Sequence, residues 1–321
     1  MSQQYTPRGY TTQAHTVSIS GRMYGMDTRG ERADSGPSVT ARETTSADAG
    51  YVDFAARVWE HYDSNARDAL PWRRTTDPYR VLVSEVMLQQ TQVSRVVPKY
   101  EAFIAAFPTV QTLAEAPIDR LLAAWQGLGY NRRALALKRA AEVIVAEHGG
   151  EVPASLGQLT ALPGIGHATA AQVLAFAFDI GVPFIETNIR TVYLHEFFPG
   201  AEDVPDAAIL PLVADTLDDA RPREWFWALL DYGTYLKATT PNPSRRSRHH
   251  VRQGRFEGSN RQLRGRLLAE LTEHARTGAG DATVTVLADA VHFEPERVTA
   301  ALGALQSEGF VVSSTHGWRL A

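Results

Sequence analysis

The sequence predicts a mainly α-helical protein with two helical lobes, followed by a small α/β module of winged-helix order. Three observations carry this. Apolar residues recur at helical spacing from Tyr51 onward, strand signals are scarce before residue 260, and Leu162-Pro163-Gly164-Ile165-Gly166 forms a tight turn between two helical segments.

The first fifty residues are rich in Ser, Thr, Gly and Arg and poor in periodic apolar residues, which predicts a disordered tail over 1–50. A helix then runs from Tyr51 through Phe54, Val58 and Tyr62. Further helices are expected at Tyr79–Gln90, Val93–Ala106, Ile118–Ala124, Arg132–His148, Leu156–Ala161, His167–Phe178 and Asp206–Asp218, giving a helical body over 51–240. In the hairpin, at about 156–178, Pro163 and Gly164 cannot continue the helix before them. Gly166 lets the backbone approach a partner and frees the amides that open the next helix, which suit a phosphate. Ala168–Phe178 is apolar on most sides, so the second helix is buried and holds the hairpin rigid. By itself such a turn is equally an ordinary αα-corner.

Between Ser244 and Arg266 the chain carries Arg245, Arg246, Arg248, Arg252, Arg255, Arg261, Arg264 and Arg266 against the single acid Glu257. A solvated face usually mixes signs, so a one-signed strip, centred on a basic linker at 241–260, suits phosphates. Over 261–321, Leu263, Leu267, Leu268 and Leu271 make an amphipathic helix, Val284–Val291 and Pro295–Ser307 a helical pair, and Phe310–Leu320 alternates like a hairpin. Winged helices have this order, and so do some protein–protein modules.

At 321 residues and 44% hydrophobic, the chain can bury a large core in two or three domains. No apolar run is long enough to span a bilayer and the N-terminus lacks a signal pattern, so a cytoplasmic location is expected, nucleoid-associated in a prokaryote. A monomer is also expected. A net charge of −4 argues weakly against nucleic-acid binding as an average, and the local strip outweighs it. The absence of cysteine excludes thiolate clusters, and the adjacent His249 and His250 do not match the spaced pairs of zinc sites.

Leu70-Pro71-Trp72, Asp77-Pro78-Tyr79, the block from Ser84 to Gln92, Gly127-Leu128-Gly129-Tyr130 and the hairpin together carry a resemblance. From about Phe54 to Tyr235 the chain resembles the helix-hairpin-helix (HhH-GPD) superfamily of base-excision DNA glycosylases, and within it the MutY-like adenine glycosylases. The resemblance implies a two-lobed fold with double-stranded DNA between the lobes and a base flipped out. It also implies hydrolysis of the N-glycosidic bond of a mismatched or damaged base, such as adenine opposite 8-oxoguanine or guanine.

Such a reaction needs an ionised acid near the sugar and a protonated acid near the base. Glu85 lies in the apolar segment Val81–Leu88, where burial keeps a proton on a carboxyl; its family counterpart protonates the adenine. Glu186 stands where the superfamily usually has aspartate, with a reach longer by about 1.5 Å. Asn188 would orient that carboxylate, or simply cap a helix. The resemblance makes a glutamine among Gln89, Gln90 and Gln92 a wedge in the duplex, with Tyr130 beside the orphan base. The hairpin backbone at Gly164, Gly166 and His167 is expected to meet a DNA phosphate, and Arg245, Arg246 and Arg248 of the basic strip are expected to touch DNA where the family has its cluster loop. The resemblance also implies a sodium or potassium ion on the hairpin carbonyls of Leu162, Gly164 and Ile165.

The chain departs from the pattern in several places. Lys237, Ser244 and Ser247 stand where the family's iron–sulfur thiolates are expected, so no cofactor is expected beyond the monovalent ion. Ala168 replaces the lysine with which bifunctional relatives cut the strand, and Lys237 and Lys138 lie elsewhere in the sequence, which predicts a monofunctional enzyme. Many of these relatives carry a nucleotide-hydrolase-like domain after the helical body, and the pattern over 261–321 is not expected to form one. A catalytically silent lesion binder, and a glycosylase for thymine or uracil opposite guanine or for alkylated purines, remain alternatives. A transcriptional regulator would leave Glu85 and the glutamines unexplained.

Overall fold

The structure, a computed structural model, describes residues 46–249 and 254–321. Its helices are α1 (Ser46–Asn65), α2 (Pro78–Leu88), α3 (Val93–Ala106), α4 (Val110–Ala114), α5 (Ile118–Trp125), α6 (Arg132–Glu147), α7 (Leu156–Ala161), α8 (His167–Phe178), α9 (Thr187–Glu196), α10 (Asp206–Asp215), α11 (Pro222–Thr239), α12 (Asn260–Thr277), α13 (Val284–Val291) and α14 (Pro295–Glu308). The strands β1 (Val311–Ser313) and β2 (Trp318–Leu320) follow, and short 3₁₀ turns occupy Pro71–Arg74 and Pro243–Arg246.

Helix starts follow local chemistry. The Asp77 carboxylate accepts the amides of Tyr79 and Arg80, with Pro78 at the first helical position. Thr109 and Thr112 cap α4 reciprocally, and Ser259 and Thr283 cap α12 and α13. The middle helices α2 to α8 form one lobe, and α1 returns to join α9 and α11 in the other. Phe54 of α1 packs 5.3 Å from Tyr193, 4.9 Å from Phe197 and 6.0 Å from Trp225, ring centre to ring centre. A continuous apolar core runs through both lobes.

A buried ion pair fastens the lobes. Arg73, on the first 3₁₀ turn, meets both carboxylate oxygens of Asp231 on α11, at 2.7 and 2.8 Å, and Arg67 joins from the same side. Burial alone would raise the Asp231 pKa, but the two guanidiniums hold it below the usual carboxylate value.

The C-terminal module is a winged helix in order and pairing. Val311 pairs with Leu320 across the two-stranded antiparallel hairpin, and an isolated bridge joins Ala282 to Trp318. Leu263, Leu267, Leu268 and Leu271, the face expected to be apolar, are all buried. Their cluster also takes in Leu122 of α5 and Leu135 of α6, so the module is docked on the helical body. Glu308 closes this interface, meeting Arg132 Nε at 2.8 Å and Arg264 Nη2 at 2.6 Å, while Arg139 donates to its backbone carbonyl.

The structure corrects several expected boundaries. The first helix begins at Ser46, ahead of Tyr51; the rest of the expected tail, 1–45, lies outside the described residues. The segment expected as a linker is partly structured. Pro243–Arg246 is a 3₁₀ turn and Ser247 bridges Val204, whereas His250 and Arg252 fall outside the described residues. α2 ends at Leu88, because Gln90 has a positive φ of 55° that no helix accepts. α4 and α11 were not expected. Among the described residues no helix is long and apolar enough to cross a membrane.

Candidate active site

Glu85 sits in the middle of α2, 5% exposed, among Val81, Leu82, Val83, Val86 and Met87, which are also buried. Among the described residues its carboxyl has no hydrogen-bond partner. Burial raises its pKa to about 8, the charge of Glu186 adds to the rise, and Arg73 opposes it. At neutral pH this group carries a proton it can donate.

Glu186 faces it from the N-cap of α9. Its Oε1 accepts the backbone amides of Asn188 and Ile189, the latter at 2.7 Å, and Oε2 accepts from Asn188 Nδ2 at 3.3 Å. The extra methylene relative to aspartate is thus folded back onto the helix start. Burial moves this carboxyl above its usual pKa, while the amides of Ile189 and Asn188 and the charges of Lys237 and Arg190 pull it down. The expected pair is brought together: one acid without hydrogen-bond support and one held by helix amides.

Past α2, Gln89 Nε2 donates to Thr169 Oγ1 at 3.0 Å, which ties the glutamine block to α8. Gln90 follows at φ 55°, Gln92 caps α3, and Tyr130 stands at φ 48° in the loop before α6. Two non-glycine residues held in the left-handed region, each at a cost of about 1 kcal/mol or more, occupy the positions expected to probe DNA. Arg133 holds both turns. It donates to the carbonyls of Val86, Met87 and Gln89 at the end of α2, to Thr91 Oγ1, and to the Gly129 carbonyl, and it lies 5.4 Å from the Trp125 ring centre and 5.5 Å from that of Tyr130. Its burial lowers its pKa to about 10.

The hairpin forms as the sequence predicted, with α7 and α8 at the expected bounds. Gly164 has φ 75°, and a Cβ there would lie 2.6 Å from the Ala136 Cβ. Gly166 caps α8 and has open space where a Cβ would stand, and His167 Nε2 is 3.1 Å from the Pro183 carbonyl oxygen. Ala168 packs half-buried against the core.

Two expectations change. The arginine strip is divided: Arg246 holds the Phe198 and Leu194 carbonyls at the end of α9, Arg248 pairs with Asp203, Arg264 with Glu308, and Arg266 binds the Val291 carbonyl. Arg245 and Arg255 are exposed. Lys138 is remote as expected, bound to the Ala114 carbonyl, but Lys237 is not: its Nζ donates to Asn188 Oδ1 at 2.7 Å. The residues at the expected thiolate positions do not fit an iron–sulfur cluster. All are oxygen or nitrogen groups engaged elsewhere, Ser244 with Asn242 and Ser247 with the His249 amide. Arg133, Lys237 and the Arg73–Asp231 pair are parts of the site that sequence reasoning missed.

A helical body built round this hairpin, with a carboxylate capping the helix across from it, defines a class of DNA-repair folds. The structure superposes on a thermostable thymine-DNA glycosylase with a TM-score of 0.55 at 23% identity, covering 62% of this chain and 93% of that one. It superposes on Endonuclease III in a non-covalent DNA complex with a TM-score of 0.51 at 18% identity, covering 60% and 89%. A family model described as "HhH-GPD superfamily base excision DNA repair protein" matches residues 83–290. The chain belongs to the HhH-GPD superfamily. It is 37% identical over 229 residues to the adenine DNA glycosylase of Mycolicibacterium smegmatis, covering 66% of this chain and 78% of the relative. It is 34% identical over 187 residues to that of Buchnera aphidicola, covering 57% of this chain and about half, 52%, of the relative's length.

Proposed function

We propose that the protein is a monofunctional DNA glycosylase that removes adenine from mispairs such as adenine opposite 8-oxoguanine or guanine. The observation that carries this is the Glu85–Glu186 pair, whose surroundings keep a proton on one carboxyl and gather amides and cations around the other. The adenine glycosylases among its relatives supply the base.

In this reading the duplex lies along the hairpin, with the Gly166 and His167 amides on a backbone phosphate and the target base flipped toward Glu85. The C1′–N bond breaks, its electron pair passes to the adenine, and Glu85 protonates a ring nitrogen of the leaving base. The Glu186 carboxylate, oriented by Asn188, faces the cationic sugar; water adds at C1′ and gives up its proton to the now basic carboxylates. Alanine at position 168 has no amine to attack the sugar, so the product is an intact abasic strand. Gln89, Gln90, Gln92 and Tyr130 fill the gap in the duplex, and the exposed Arg245 meets phosphate. A sodium or potassium ion on the carbonyls of Leu162, Gly164 and Ile165, a monomeric enzyme and a nucleoid location belong to the same proposal.

The test is incubation with duplexes carrying adenine opposite 8-oxoguanine or guanine, thymine or uracil opposite guanine, and alkylated purines, followed by alkali. Strand breaks that appear only after alkali, and only from adenine duplexes, support the proposal. Breaks from another duplex reassign the base. Selective binding without product replaces the enzyme with a lesion binder.

A further inference from the structure

Gly233 and Lys237 lie one turn apart on α11, on the side that meets the start of α9. A Cβ at Gly233 would sit 2.4 Å from the Asn188 carbonyl oxygen and 2.8 Å from the Asn188 Cβ, so glycine permits this approach. The approach delivers Lys237 Nζ to 2.7 Å from Asn188 Oδ1. An amide side chain has two unlike ends, and an ammonium has donors only. With Oδ1 taken by Lys237, the NH₂ end must face the other way, and there Nδ2 lies 3.3 Å from Glu186 Oε2.

We propose that Lys237 is a positioning residue for base excision, orienting the Glu186 carboxylate by fixing which end of Asn188 faces it. The inference rests on the function proposed above. Helix capping does not need this arrangement, because Oε1 already satisfies the amides of Asn188 and Ile189. The lysine itself is drawn into a place where it loses hydration: burial lowers its pKa, with the negative charge of Glu186 opposing. It stands where the superfamily resemblance places a cluster thiolate, so this chain has put a cation behind its catalytic amide.

The charged groups facing Glu186 can be named element by element. Arg190 lies on α9 and is paired with Asp206 at 2.7 Å; Lys237 comes from α11; Glu85 comes from α2, with Arg73 behind it held by Asp231. Of the cations, Arg190 and Arg73 each have a carboxylate of their own, whereas Lys237 reaches Glu186 through a neutral amide. Its removal therefore raises the pKa of the Glu186 carboxyl, and the ionised form is lost at higher pH.

The experiment compares the full chain with Lys237→Met and Lys237→Arg, measuring single-turnover excision of adenine opposite 8-oxoguanine from pH 5 to 9. Equilibrium binding is followed on the same duplex with a 2′-fluoro sugar that resists cleavage. For Lys237→Met the expected result is unchanged binding, a rate at neutral pH lower by about tenfold, and an acid limb moved up by about one pH unit, with Lys237→Arg restoring both. Unchanged rate and profile in Lys237→Met overturn the inference. So does a rate loss without a shift of the acid limb, or a borohydride-trapped adduct that needs Lys237, which would make it a nucleophile. A wild-type protein that excises no base overturns the proposed function itself, a result separable from indifferent Lys237 variants of an active enzyme.

Discussion

Glu85 and Glu308 are the same residue type in two regions that treat a charge in opposite ways. Glu308, at the seam between α14 and α6, is met by Arg132 and Arg264, and these hydrogen bonds lower its pKa to about 2. Glu85 is met by valines, a leucine and a methionine, and burial raises its pKa to about 8. The first region uses charge to join two parts of a fold. The second withholds partners from a charge, which is how a protein keeps an acid ready for chemistry. Asp231 shows that burial is not the deciding variable, because it is as buried as Glu85 yet its pKa is lowered by Arg73 and Arg67.

Substitutions can break or sharpen that contrast. Glu186→Gln has the largest expected effect: it removes the charge opposite the sugar, and single-turnover excision should fall by about a thousandfold while lesion binding survives. Asp231→Ala comes next. It strands Arg73 in the core and should cost about 3–5 kcal/mol in urea unfolding, the signature of a broken buried pair. If it costs less than Glu308→Gln, the distinction between paired and withheld charge fails.

Glu85→Gln should slow excision by about a hundredfold by removing the proton donor. Its stability effect has the opposite sign from that of a paired acid. The folded-state pKa of Glu85, about 8, lies above its ordinary 4.5, so its contribution is complete below about 4.5 and is lost as pH rises through about 8. Glu85→Gln should therefore melt higher than wild type at pH 8 and equal to it near pH 4, by differential scanning calorimetry. Excision by the wild-type chain should likewise decline above about pH 8. Glu308→Gln should have the smallest effect, about 1 kcal/mol once solvent screening is allowed for. The folded pKa of Glu308 is depressed, so its contribution is present above about 4.5 and disappears as pH falls toward about 2. Unfolding at pH 7 and pH 2 would show the wild-type advantage at the higher pH and little of it at the lower.

Much of this organisation was legible in the sequence where the signal is local. The hairpin helices, α3 and α13 begin and end where apolar periodicity and the Pro163-Gly164 turn place them, because these signals lie within the segments themselves. α11 was missed because it is buried on several sides and aromatic-rich, with a glycine at position 233, so no single apolar stripe marks it. Glu85 was legible by its apolar surroundings and Glu186 by the family resemblance. What held them was not: Lys237 lies far along the chain from Asn188, and nothing in one sequence says which cation a fold will bring to which amide. The division of the arginine strip was illegible for the same reason, since composition counts charges and only the fold assigns their partners.

The fit of Gly164 against Ala136 has a mechanical consequence. Ala136 belongs to α6, whose first turn carries Arg133 and follows directly on Tyr130. With no room for even a methyl group between hairpin and helix, the part that would grip the DNA strand and the part that would probe its bases form a single jaw. Such a jaw keeps the two parts at a fixed separation, so a shift of the hairpin carries the Tyr130 turn with it.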